Sequence, residues 1–123
     1  MISGLATAND DKLPAPQTCA DVIDVAKTSH WLANKVATES EYLEKAGDLF
    51  EDFERAFGEA ERRFGARAAA VGESAELRME AYRRRTASIR KATFIALSKG
   101  WEWREKFEAA VVFEISSICN GYE

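Results

Sequence analysis

Proline occurs twice in this chain, at Pro14 and Pro16, and nowhere after that. Proline removes a backbone donor and clashes with the preceding helical turn, so its absence from position 17 onward leaves helices free to run without interruption. One stretch uses that freedom plainly. Leu43, Ala46, Phe50, Phe53, Phe57, Ala60 and Phe64 recur by threes and fours without a miss, which is the spacing of a helix face that packs like a coiled-coil seam.

The chain has 123 residues, 46% of them hydrophobic and 31% charged, enough for one core and not for two. The expectation is an all-α fold, an antiparallel four-helix bundle with one long helical hairpin. Residues 1–17 lack periodicity and read as a flexible N-terminal arm; residues 18–123 form the single helical domain. Thr18 is placed to cap a first helix whose face holds Val22, Ala26, Ser29, Ala33 and Val36, widened by Val25 and Leu32. Thr38-Glu39-Ser40-Glu41 has the form of a capping box for the second helix. That helix is expected to run to a break at Val71–Ser74, with Ser74 capping a third helix over Ala75–Ser98. Lys99-Gly100 reads as its stop. A fourth helix follows over Trp101–Cys119, with Trp103, Phe107, Ala110, Val111, Ile115 and Ile118 turned inward. Gly58, Gly65 and Gly72 fall seven apart, and either another backbone approaches them closely or Gly65 or Gly72 ends the second helix.

Chemistry-bearing motifs are scarce. His30 is the only histidine, whereas a metal site in a helical bundle draws Glu-x-x-His motifs from two helices; beside Trp31 it reads as a packed side chain. Cys19 and Cys119 lie near opposite ends of the chain, and His30 is about 16 Å along a helix from Cys19, too far to serve it as a base. An up-down-up-down bundle would bring the two cysteines together. With no basic and apolar leader and no run of about 20 apolar residues, the chain reads as cytoplasmic and not membrane-spanning, with the cysteines as thiols that pair only under oxidation. Trp101 and Trp103 read as a cap on the core. These features point to no enzyme, no cofactor and no metal.

Charge says more. The net charge is −4, but residues 39–61 carry nine acids against two bases, a net of −7, and residues 62–91 carry nine bases against three acids, a net of +6. Glu114 interrupts the apolar face of the fourth helix, and folding back at Gly100 would set it level with Arg85, so a buried Arg85–Glu114 pair is expected to fix helix register. Folding the hairpin near Glu73 sets Arg83, Arg84 and Arg85 level with Glu61, Arg62 and Arg63, and not with the acidic stretch before Glu59, so the bases should reinforce one another. A second helix of about 48 Å also outruns neighbours of about 30 Å. Phe57 and Phe64 would then project at the uncovered tip, matched only by Ile89 and Tyr82, and such a patch ordinarily marks an interface. The expected partner-binding surface is therefore Phe57, Phe64, Tyr82, Arg62, Arg63, Arg83 and Arg84, engaging a protein partner and a second copy of the chain through the tips. The arginine-rich segment 78–91 leaves nucleic acid as the alternative partner.

A small acidic helical domain with an open apolar hairpin seam and no active-site motif resembles, across residues 19–119, the small helical antiactivators of bacterial quorum sensing, of the QslA-like kind. The resemblance implies a homodimer that sequesters a transcription regulator, blocking its dimerisation or its binding to DNA.

Overall fold

The computed structural model describes residues 13–120, and its first helix begins where the capping chemistry puts it. Thr18 Oγ1 accepts from the Asp21 N–H at 3.1 Å, and the Asp21 carboxylate accepts from the Thr18 N–H at 3.1 Å, a closed capping box. Helix α1 spans Cys19–Lys35, α2 Glu39–Val71 and α3 Ala75–Trp103. Helix α4 (Phe107–Ala110), a π-helical turn (Val111–Ile115) and α5 (Ser116–Asn120) follow as one C-terminal helical segment. At α2, Thr38 Oγ1 accepts from the Glu41 N–H at 3.1 Å, while Glu41 reaches back to the Ala37 N–H at 3.0 Å, one residue short of the expected box. Among the described residues there is no strand, and no helix is long and apolar enough to cross a membrane.

Helix α3 is the spine of this all-α bundle, with α2 along one side and α1 and the C-terminal segment packed on it elsewhere. The 33 residues of α2 reach about 50 Å and the 17 of α1 about 26 Å. The bundle is therefore full only at its base. At the far end, Gly72 closes α2 with φ at +99°, its N–H donating to the Ala68 carbonyl; a left-handed backbone there favours glycine. Gly65 stays inside the helix. Ser74 stands at the start of α3 but makes no side-chain cap.

The expected stop at Lys99-Gly100 does not occur. Helix α3 continues to Trp103, and Gly100 is buried inside it. A Cβ at Gly100 would lie 1.9 Å from the Tyr42 hydroxyl oxygen and 3.0 Å from the Ser29 Cβ. Tyr42 donates to the Leu97 carbonyl at 2.7 Å, and Ser29 donates to the Ala96 carbonyl at 3.1 Å. Gly100 is thus the point where α1, α2 and α3 meet, and its missing side chain is what lets them. Close approach, expected at Gly58, Gly65 and Gly72, is found here instead. At Gly47 and Gly58 an added Cβ would meet nothing within 4 Å, although an interior glycine costs a helix about 1 kcal/mol relative to alanine.

Moving the turn to residues 104–106 changes what faces Glu114. The expected Arg85–Glu114 pair is not formed: Glu114 is half-exposed and sits 3.5 Å from Lys99 Nζ, while Arg85 is exposed. The later turn brings residues near 99, not 85, level with Glu114. The π turn keeps Val111, Ile115 and Cys119 buried and leaves Val112 and Phe113 exposed.

Cys19 and Cys119 do meet, as the bundle topology requires, and they form a disulfide with a Cα separation of 5.5 Å. The expectation of thiols is corrected accordingly. A cross-link spanning 100 residues stabilises by about 4 to 5 kcal/mol in the chain-entropy account. Just before it, Pro16 is buried and Ala15 half-buried against the core, so residues 13–17 of the expected arm belong to the body. Residues 1–12 lie outside the described residues, as do residues 121–123.

Candidate protein-binding site

Among the described residues, the hairpin of α2 and α3 buries little beyond the end of α1. From Gly58 to Ala87 only Ala68 is fully buried, so whatever the tip does it does at its surface. Phe57, expected there, is instead 3% exposed and part of the core with Ile89. The core reaches one turn further along α2 than the helix lengths imply. Phe64 and Tyr82 are the aromatic pair that remains. Their rings stack with centroids 4.2 Å apart and planes 13° from parallel, both side chains half-buried. Burial and the nearby Glu61 carboxylate push the Tyr82 phenol above its ordinary range, against the opposing pull of Arg67 and Arg85.

The basic run is not uniform. Arg83 donates to Glu61 at 2.9 Å, Arg62 and Arg63 share Glu59 at 3.0 and 3.2 Å, and Arg90 forks onto Glu54. Hydrogen bonding and charge from Arg62 hold the Glu59 carboxyl below its usual value. Hairpin register sets Glu61 and Glu54 of α2 against Arg83 and Arg90 of α3, and within α2 Glu59 lies one turn before Arg62 and Arg63, so the expectation that the bases reinforce one another fails for Arg62, Arg63 and Arg83. Arg84 is exposed and has no carboxylate partner among the described residues.

Three further arginines take the place of those pairs. Arg78, Tyr82 and Arg85 are spaced four and three apart and share one stripe of α3, and Arg67 lies one turn beyond Phe64 on α2. Arg67, Arg78 and Arg85 are exposed and lack a carboxylate partner among the described residues. The result is a half-buried aromatic stack with Arg67 and Arg85 near enough for their charges to act on the Tyr82 phenol and Arg78 one turn away on the same stripe of α3. Of the expected surface, Phe64 and Tyr82 come together here, Arg62, Arg63 and Arg83 are tied into ion pairs, and Phe57 is withdrawn. The spacing around Tyr82 was the available sign of Arg78 and Arg85.

No group of three or more potential metal ligands occurs among the described residues. His30 packs its ring 4.6 Å from that of Phe107, with Nδ1 buried and without a hydrogen-bond partner among the described residues. No family model matches this chain, and comparison with curated proteins and with solved structures returns no match either.

Proposed function

We propose that this protein is a non-enzymatic binding module that engages an acidic protein segment through the tip of the α2–α3 hairpin. The observation that carries the reading is the Phe64–Tyr82 stack, with Arg67 and Arg85 acting on the Tyr82 phenol and Arg78 on the same stripe of α3, on a part of the hairpin where Ala68 alone is buried among the described residues. Aromatic rings and arginine are the side chains that most often anchor interfaces. Guanidiniums without an internal partner are ready to accept carboxylates from outside. A helix with glutamates flanking a leucine or phenylalanine matches both parts.

The disulfide directs where that partner is met. Bridges of this kind persist in oxidising compartments and are rare where glutathione keeps thiols reduced, so the reading places the protein in an oxidising setting instead of the cytoplasm. A transcription regulator, the partner implied by resemblance to quorum-sensing antiactivators, would be met in a reducing one. The binding role is kept and the regulator is not.

The test is binding of an amphipathic Glu/Leu peptide, followed by fluorescence anisotropy, with wild type and the double variant Arg67→Glu, Arg85→Glu. Expected is binding by wild type, loss in the variant, and unchanged helicity by circular dichroism. Equal affinity for the two proteins would reject the tip. Tighter binding to duplex DNA than to the peptide, with a steep salt dependence, would support the nucleic-acid alternative.

A further inference from the structure

A different flank of the hairpin carries a second set of features that the tip site does not use. Leu43 and Phe94 are 47% and 51% exposed. Phe50 meets Phe94 edge-on with centroids 5.2 Å apart, and a shallow groove of about 140 Å³ runs between them past Gly47 and Ser98. Phe94 and Arg85, nine residues apart on α3, point in opposite directions at about 100° per residue, so this flank faces away from the basic stripe of the tip.

Two more observations name the occupant. Gly47, Gly58 and Gly65 are spaced eleven and seven apart, which keeps them within about 20° of one another on α2, on the same side as Leu43 and Phe50. At Gly47 and Gly58 a side chain would meet nothing among the described residues within 4 Å, so the described packing gives no reason for glycine there, while an approaching helix backbone would. The flank is also divided by charge. Its α2 edge carries Glu44 and Glu51, its α3 edge Arg84 and Lys91, and all four are exposed with no ion-pair partner among the described residues.

We infer that a second copy of this chain docks on this flank, with α2 of each copy against α3 of the other, about a two-fold axis parallel to the hairpin. The pairs Glu54–Arg90 and Glu61–Arg83 set Phe50 level with Phe94 within one hairpin. Rotation about that axis keeps levels and exchanges helices. Phe50 of one copy then faces Phe94 of the other, Glu51 faces Lys91, and the glycine side of α2 admits the opposing α3. Setting α2 against α2 would instead bring two acidic helices together and repel. The arrangement is isologous, so each contact occurs twice, and it leaves both basic tips free.

The measurement is sedimentation equilibrium of the disulfide-intact full chain. Wild type is expected to dimerise, and Phe94→Asp to raise the dimer dissociation constant by about 100-fold or more with helicity retained. Lys91→Glu should weaken the dimer, and adding Glu51→Lys should restore it, a rescue that mere damage to folding would not give. Gly47→Leu should dissociate the dimer while leaving the monomer folded. A wild type that is monomeric at several hundred micromolar overturns the inference. So does a dimer lost in Phe64→Asp but kept in Phe94→Asp, which would return the interface to the tip. Peptide binding by Phe94→Asp reports on the tip separately, so the two proposals fail independently.

Discussion

The base and the tip of this molecule are made from the same two helices, yet they are held in different ways. At the base, α1 and the C-terminal segment close over α2 and α3, Tyr42 and Ser29 hydrogen-bond to carbonyls of α3 around a side-chain-free Gly100, and the Cys19–Cys119 disulfide ties the two ends together. At the tip, Ala68 is the one buried residue across thirty positions of chain, and the helices touch through a ring stack and the exposed Arg83–Glu61 ion pair, with room beside Gly65 for an added Cβ at ordinary contact distance from Met79. Stability is concentrated at the base, whose flank carries the proposed dimer contact. The surface capable of recognition sits where local opening is easiest, as expected of binding elements.

Variants should separate the two regions by size of effect. Replacing Cys19 and Cys119 together with serine should lower unfolding free energy by about 4 kcal/mol, read by urea denaturation against the oxidised wild type. Gly100→Ala comes next, at about 3 kcal/mol, because the new Cβ overlaps the Tyr42 hydroxyl and overpacking of this kind forces the helices apart. Combining it with Tyr42→Phe should recover part of the loss. A loss from Gly100→Ala as small as that of an exposed alanine substitution would mean that the three helices do not meet there.

Tyr42 also gives the base a pH signature. Burial raises its phenol above the ordinary 10.0, so the folded state holds the proton more tightly than the unfolded chain. The associated stability is fully present below about pH 10 and is lost as pH rises toward and through the folded value. Tyr42→Phe should flatten that alkaline decline in thermal melts. At the tip the effects shrink. Phe64→Ala should cost about 1 kcal/mol and act mainly on hydrogen exchange in residues 60–87, with little change at residues 89–103. Smallest is Glu114→Leu, under about 0.5 kcal/mol, since its partner Lys99 and the carboxylate are both well exposed. A loss of several kcal/mol there would restore a buried pair.

Much of the fold was legible because helix signals are local. Thr18 and Thr38 cap where their hydroxyls and the acids three residues on require it, the face of α1 is the one its spacing describes, and Gly72 marks the turn. What could not be read was the tertiary use of a local signal. Lys99-Gly100 has the form of a helix stop, but packing against Tyr42 reassigns the glycine, and the displaced turn then breaks the Arg85–Glu114 register. The disulfide was misjudged for a related reason: spacing and topology give the proximity of two cysteines, not their oxidation state. At the tip, the arginines were visible as a charge run, but which of them stay free depends on hairpin register. That register pairs Arg83 with Glu61 and Arg90 with Glu54, and it leaves Arg67, Arg78 and Arg85 open.

NMR chemical-shift mapping distinguishes peptide recognition at the tip from recognition at the base. Uniformly ¹⁵N-labelled oxidised protein would be titrated with the amphipathic Glu/Leu peptide at moderate salt. The account predicts that the largest backbone perturbations cluster around Phe64, Arg67, Arg78, Tyr82 and Arg85, with α1 and residues 107–120 unmoved. Perturbations centred on α1 or the C-terminal segment, with the tip silent, would contradict it.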